Sequence, residues 1–342
     1  MDRTYHAVLW VVLIFAAGMY TAGMIDDFDH NAPRAALAPL ARVEFSRSNP
    51  NFGDHSLPHR LTLCGETVPL DDPRVWEMLD REFNITVWDR AQVFMYLKRA
   101  GRYFPFIERE LARAGLPDDL KYLAVAESAL LTHSRSPKGA QGPWQFMTPA
   151  ARSNGLRRDG VVDERLNFPM ATRAAIRNLK RLHDKFGSWS LAMAAYNTGE
   201  TRLARMIRKQ ETSDYYRLNL PLETERYVFR IAAIKIVMEN PQRYGYHLSD
   251  PGTYKPQRYD VVEVKTRHRF DLVEVAKALG TDYKHLKELN PQYLRSYLPA
   301  GTYVLHIPPE SGFDALVFFN NGKDRARAKL LISDRKAEID RH

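Results

Sequence analysis

Between residues 70 and 240 apolar side chains recur at three- and four-residue spacings, and almost no stretch alternates as a strand does. That periodicity restricts the fold most, because helices with one apolar stripe must bury it against one another. Asp72-Pro73 supplies a cap and a proline at the first helical position, opening a helix toward Phe83 through Val75, Met78 and Leu79. Residues 88–100 and 103–114 read as two helices, the second carrying Ile107, Leu111 and Ala114 on one face and stopping at Gly115. Ala175, Leu179, Leu182 and Phe186 mark a helix over 171–186, and Tyr227, Ile231, Ile234 and Met238 another over 223–239. The expectation is a mainly α-helical domain packed around a cleft.

One helix breaks its own pattern. Asp118 or Asp119 caps its start, and Leu120, Leu123, Ala124 and Glu127 then share a face. A carboxyl group thus stands where leucine is expected. Lost hydration disfavours its charged form and raises its pKa toward neutrality, as a general acid requires. The helix pattern alone leaves the other reading open, a stripe-edge Glu that pairs with an arginine or reaches solvent.

The residues downstream decide between them. Ser128 and Ser136 precede Gly139, Gly142 and Trp144-Gln145-Phe146-Met147; Asn167-Phe168-Pro169 leads a helix; Phe186-Gly187-Ser188-Trp189 leads into Ala194-Ala195-Tyr196-Asn197-Thr198-Gly199-Glu200; Leu220-Pro221-Leu222-Glu223-Thr224 and Tyr227-Val228 follow. These blocks, in this order over roughly residues 100–240, resemble the lytic transglycosylase domain of the soluble lytic transglycosylase family, and within it the membrane-bound lytic murein transglycosylase D group. The resemblance implies a lysozyme-like α-helical fold with Glu127 as the one acid, then base, of glycosidic cleavage. The sugar's C6 hydroxyl would close onto C1 in place of water, giving a 1,6-anhydro-N-acetylmuramic acid end.

By the same resemblance Ser136 contacts the N-acetyl group or the carboxyl, Gln145 and Met147 line the cleft, and Tyr196 and Asn197 hydrogen-bond the substrate. Glu223 and Tyr227 face the cleft from the closing helix. Met147 also fits an ordinary core position, and Trp144 fits packing better than stacking. Glu223 has three readings: a substrate or supporting contact, a helix-start charge, or a second catalytic carboxylate. The last would make the protein a muramidase-type hydrolase. A non-catalytic peptidoglycan-binding scaffold is the rival of another class, since Pro143 stands where the family usually has leucine or isoleucine.

Past residue 258 the character changes. Tyr259–Val264 reads as a strand, Leu272–Leu279 and Tyr283–Leu289 as helices, and Tyr303–Ile307 as a strand. This β-α-α-β order over 258–310 resembles a small α+β LysM module, which implies glycan binding. The usual Gly-Asp-Thr after the first strand is absent and the stretch reads Arg267-His268-Arg269, so a packing appendage is the alternative. Residues 311–342 read as a charged tail, with Val317-Phe318-Phe319 as a last buried contact.

Ahead of the catalytic domain, placed at 61–250, residues 26–60 read as a linker. Residues 1–25 carry Arg3 and then no formal charge from Thr4 to Ile25, which is export chemistry. A cleaved signal peptide and a retained membrane anchor both fit. The expected location is the periplasm or cell envelope. The net charge of +9 suits an anionic partner such as carboxylate-bearing peptidoglycan. No nucleic-acid module, metal-spaced cluster or cofactor motif is evident, and the single cysteine, Cys64, excludes an intrachain disulfide. Oligomeric state is not legible.

Overall fold

The computed structural model describes residues 55–249, 252–321 and 326–332. The N-terminal segment at 1–25, most of the expected linker and the last ten residues lie outside the described residues. Among those described, no helix is long and apolar enough to cross a membrane.

The first element among the described residues is a hairpin of two-residue strands, β1 (Thr62–Leu63) against β2 (Glu66–Thr67). Helix α1 (Pro73–Trp88) begins as expected, with the Asp72 carboxylate accepting the Arg74 N–H and Pro73 at the first position. Helix α2 (Arg90–Ala114) corrects the reading of two helices, for it runs unbroken through Gly101 and Pro105 to a left-handed Gly115. Gly101 is a packing residue here. A Cβ on it would meet Thr253 at 2.6 Å, and Tyr254 N donates to the Lys98 carbonyl beside it.

Helix α3 (Lys121–Ser128) follows a 3₁₀ turn at Asp118–Leu120. The expected cap is not made. Asp118 pairs with Lys121, while Asp119 accepts Cys64 N and binds Lys235, so both carboxylates tie the turn to its surroundings. Helix α4 (Thr148–Ser153) is short. Helix α5 (Phe168–Phe186) starts two to three residues earlier than its periodicity suggests, because the Asn167 side chain caps it at Met170 N.

Helix α6 (Trp189–Thr198) is capped by Ser188, and the Glu66 carboxylate adds bonds from Trp189 N and Ser190 N, at 2.5 and 3.1 Å. A negative charge there also suits the helix N-terminus. Helices α7 (Glu200–Gln210) and α8 (Leu222–Glu239) complete the domain. Helix α8 is buried on most sides, packing on α1, α3 and α6. Its buried residues run from Thr224 to Val237, so Tyr227 enters the interior with them, while Arg230 and Lys235 stay partly exposed.

The C-terminal domain has its own apolar core, built from Val262, Val264, Leu272, Val275, Leu286, Leu298, Tyr303 and Leu305. Strand β3 (Asp260–Thr266) pairs antiparallel with β6 (Gly301–Ile307), Val262 facing Leu305. Between them run β4 (Phe270–Asp271), α9 (Leu272–Ala278), α10 (Tyr283–Leu289) and β5 (Tyr297–Leu298), with β4 on β5. The stretch read as a charged tail is corrected in part: α11 (Gly312–Asn321) buries Ala315 and Phe319, and β7 (Arg327–Ile332) pairs with the second edge of β3. The sheet order is β6-β3-β7.

Candidate active site

Glu127 lies in the last turn of α3, half-buried, with its carboxyl closely surrounded by protein atoms. Tyr227 of α8 donates its O–H to Glu127 Oε1 at 2.5 Å. Burial pushes the carboxyl up to about 7. The Tyr227 hydrogen bond and the positive charge of Arg230 oppose that rise, and the negative charge of Glu223 adds to it. Burial thus favours the protonated form of the carboxyl at neutral pH, which is the condition for donating a proton there. With Oε1 accepting from Tyr227, Oε2 is the oxygen left to carry the transferable proton.

The chain turns sharply after this helix. Ala129 and Leu130, both non-glycine, adopt left-handed backbone with φ of 54° and 61°. Such conformations are unfavourable for residues with a Cβ and persist only where the surroundings hold them. Here Ala129 N closes the helix on Val125 O, and Ser128 Oγ donates to Pro143 O at 2.7 Å. That bond fixes the glycine-bearing loop to α3 one residue from Glu127.

Within the loop, Gln145 is also left-handed, with φ 47°, and its amide donates to Gly142 O at 2.7 Å and Ser134 O at 3.2 Å. Ser136 turns inward on its own loop: its Oγ accepts Ala140 N at 3.0 Å. Gly142, φ 82°, is required sterically, because a Cβ there would stand 1.9 Å from Arg165 O. Trp144 is fully buried and donates Nε1–H to Thr172 Oγ1 at 2.9 Å, a packing role. Met147 is 44% exposed, which removes the core reading for it.

Helix α6 brings Tyr196 and Asn197 to the same place. The Tyr196 hydroxyl donates to Trp144 O at 2.7 Å; burial, then the charge of Glu127, hold its pKa well above the usual tyrosine value. Asn197 Oδ1 accepts the Thr224 hydroxyl at 2.9 Å, joining α6 to the start of α8. Glu223 sits exposed on the second residue of α8, its Oε2 3.5 Å from Lys138 Nζ, and is joined to Glu127 by charge and not by a hydrogen bond. Glu127, Tyr196, Tyr227 and, at longer range, Glu223 are thus brought together. Ser136 and Gln145 shape the loop that borders them.

Three participants escaped the sequence reading. Arg230 stands three residues after Tyr227, so helical spacing puts them on one face. It also approaches Glu82, Nε to Oε2 at 3.8 Å. Asp163 and Arg165 are both buried and paired through two bonds of 2.7 and 2.8 Å, and no periodicity signals a buried pair two residues apart in an irregular segment. Among the described residues no cluster of His, Cys, Asp and Glu suits a metal ion.

Residues 104–219 match the family described as Transglycosylase SLT domain, and residues 259–312 match the family described as Lytic transglycosylase MltD, LysM-like domain. The chain is 29% identical over 242 residues to Membrane-bound lytic murein transglycosylase D of Escherichia coli (strain K12), across 69% of this chain and 53% of that protein. It is 41% identical over 88 residues to Peptidoglycan transglycosylase gp16 of Escherichia phage T7, across 25% of this chain and 7% of that protein. The 70 kDa soluble lytic transglycosylase of Escherichia coli aligns in structure over 42% of this chain and 23% of its own, with 21% identity and a TM-score of 0.30. The chain therefore spans about half the length of the Escherichia coli relative that it matches, 53%. The two family matches carry the resemblance read from the glycine-bearing and Ala-Tyr-Asn blocks and from the strand-helix-helix-strand order.

Proposed function

We propose that this protein is a peptidoglycan lytic transglycosylase, cleaving the β-1,4 bond between N-acetylmuramic acid and N-acetylglucosamine without water. The observation that carries the reading is a single carboxyl, Glu127, raised to about 7 by burial and held through one oxygen by Tyr227. As the bond to the leaving oxygen lengthens, Glu127 donates its proton and C1 gains oxocarbenium character. The carboxylate so formed is stabilised by the Tyr227 hydroxyl and Arg230, the groups that favour its charged form. It then takes the proton of the C6 hydroxyl as that oxygen bonds to C1. The proton count balances on one residue, and the intramolecular hydroxyl has a large proximity advantage over bulk water.

Two features weigh against the muramidase reading. Glu223, the one acid among the described residues whose charge acts on Glu127, is solvent-exposed and faces Lys138, an arrangement suited to tuning charge at the rim. No further carboxylate makes a hydrogen bond with Glu127 among the described residues. The scaffold reading is disfavoured by the arrangement itself, in which Tyr227 bonds a carboxyl pushed up by burial and the buried Tyr196 hydroxyl lies beside it. Export to the periplasm or envelope, by a cleaved signal or a retained anchor at residues 1–25, belongs to the same proposal and rests on the sequence of that segment. Purified sacculi incubated with the wild-type protein should release soluble muropeptides, and Glu127→Gln should release almost none. No release by well-folded wild-type protein would favour the scaffold.

A further inference from the structure

Residues 157–165 leave the helical domain as a small hairpin. Arg158 bridges Asp163, and Asp159 Oδ1 accepts both Val161 N and Val162 N, which stiffens the tip. One side of this hairpin is joined to the C-terminal domain through backbone. Val162 pairs antiparallel with Tyr293, Asp163 N donates to Gln292 O at 2.8 Å, and Leu294 N donates to Val161 O at 2.8 Å. Arg295 Nε adds a bond to Gly160 O at 3.1 Å. Val162 is 2% exposed and is part of the apolar core of the C-terminal domain.

The other side of the hairpin holds the active-site loop. Arg165, in a fork with Asp163, donates Nη1–H to Gly139 O at 3.1 Å and Phe146 O at 3.0 Å, the two ends of the glycine-bearing turn. Its own carbonyl lies against Gly142 so closely that no side chain fits between. The turn then passes the constraint on: Pro143 O receives Ser128 Oγ and Trp144 O receives the Tyr196 hydroxyl. A planar guanidinium with several fixed donors can join a carboxylate and two carbonyls at once; an ammonium on a flexible stem holds such a geometry poorly.

We propose that Asp163 and Arg165 are positioning residues for Glu127, and that the C-terminal domain acts as a brace that keeps them in place. The inference rests on the transglycosylase reading for its kinetic consequences and on the hydrogen bonds alone for its structural ones. The module's own loops accord with this role. Arg269, in the stretch that replaces the usual Gly-Asp-Thr, lies over the Tyr297 ring at 4.0 Å, and β4 pairs with β5, so the loops before α9 and after α10 are closed on each other. The hairpin side of the domain is where it makes backbone contact with the catalytic one.

Native-state hydrogen exchange on the full chain reads the coupling directly, because regions that open together share one opening free energy. In a series of low urea concentrations the amides of Asp163 and Leu294, which cross the junction, should lose protection together with those of Gln141 and Gly142 in the loop. Val162→Asp, which puts a charge into the second core, should lower protection of all four by about tenfold or more. Junction amides that open while Gln141 and Gly142 keep their protection, in the urea series or in the variant, would overturn the brace. Should Val162→Asp fail to fold, the urea series on the wild-type chain still decides. Arg165→Lys should then lower kcat about tenfold with little change in KM and move the basic limb of the pH–rate profile to lower pH, as a loosened loop rehydrates Glu127. An unchanged kcat and limb would overturn the positioning role. Exchange does not depend on turnover, so a coupled but inactive wild-type protein would count against the transglycosylase reading alone.

Discussion

Two titratable groups, the half-buried Glu127 in the helical domain and the buried His306 in the C-terminal one, are pushed toward their neutral forms by the same loss of hydration. The outcomes differ. Glu127 rises to about 7 and retains an oxygen free to give up a proton, beside three non-glycine residues in left-handed backbone. His306 falls to about 4 and is put to structural use. Its ring stacks flat on Tyr259 at 4.2 Å, and its backbone N–H and C=O are both taken by the Asn290 side chain, at 2.9 and 2.5 Å. Glu127 bonds one carboxyl oxygen to Tyr227, while at His306 both backbone polar groups are bonded and the neighbouring Gln292 Oε1 is buried without a partner among the described residues. Burial of a titratable residue is therefore informative about function only together with what its polar atoms are given to bond.

The largest effect that would sharpen this contrast is at Glu127. Glu127→Gln should cut sacculus lysis by about 10²–10⁴-fold, because the amide keeps the shape and cannot give the same proton. The same variant should melt higher than wild type at pH 8. Below the unfolded pKa, near 4.5, the raised carboxyl has no effect on stability, and the penalty grows as pH rises through about 7. At full development it amounts to at most about 3 kcal/mol. A lower melting temperature at pH 8 would contradict a carboxyl buried against its charge.

Tyr227→Phe comes next. It removes the bond that lowers the Glu127 pKa and orients Oε1, so kcat should fall by about ten- to a hundredfold while the basic limb of the pH–rate profile moves upward. A limb displaced downward would mean that the hydroxyl serves the neutral acid instead. His306→Gln tests the other half of the comparison. A histidine held below its ordinary value stabilises the fold fully above about pH 6.5, and that contribution is lost as pH falls toward 4. The variant should flatten the acid side of the melting curve between those pH values and leave the basic limb of activity in place. The smallest effect belongs to Glu223→Gln, where loss of a distant negative charge should lower the basic limb by a few tenths of a pH unit, measured at low salt. A collapse of activity there would restore Glu223 as a second catalytic carboxylate.

The contrast also marks what the sequence can and cannot carry. Helix faces were legible because burial enforces the period: Val75 and Leu79, Ala175 and Leu179, and Ile231 and Ile234 are all buried where their spacing puts them. Glu127 was legible as a fault in such a face. Gly101 misled because glycine weakens a helix on average, yet here its missing side chain admits the Thr253 side chain and the Tyr254 carbonyl. Helix α11 and strand β7 hid in a charge-rich segment whose inward residues, Ala328 and Leu330, are few and separated by Arg327, Lys329 and Leu331. Tyr227 and Tyr196 came from motif order. Arg165 did not, because its partners are carbonyl oxygens of a turn, and backbone atoms leave no signature in a sequence.

The product formed in ¹⁸O-labelled water tests the central claim most directly, since it separates closure by the C6 hydroxyl from attack by water. Sacculi digested by the wild-type chain should yield muropeptides whose new muramic ends carry no label, lack a reducing group and are lighter by one water, about 18 mass units, than the hydrolytic product, as ring closure requires. Reducing ends carrying the label would show that water reaches C1 and that the chain is a hydrolase.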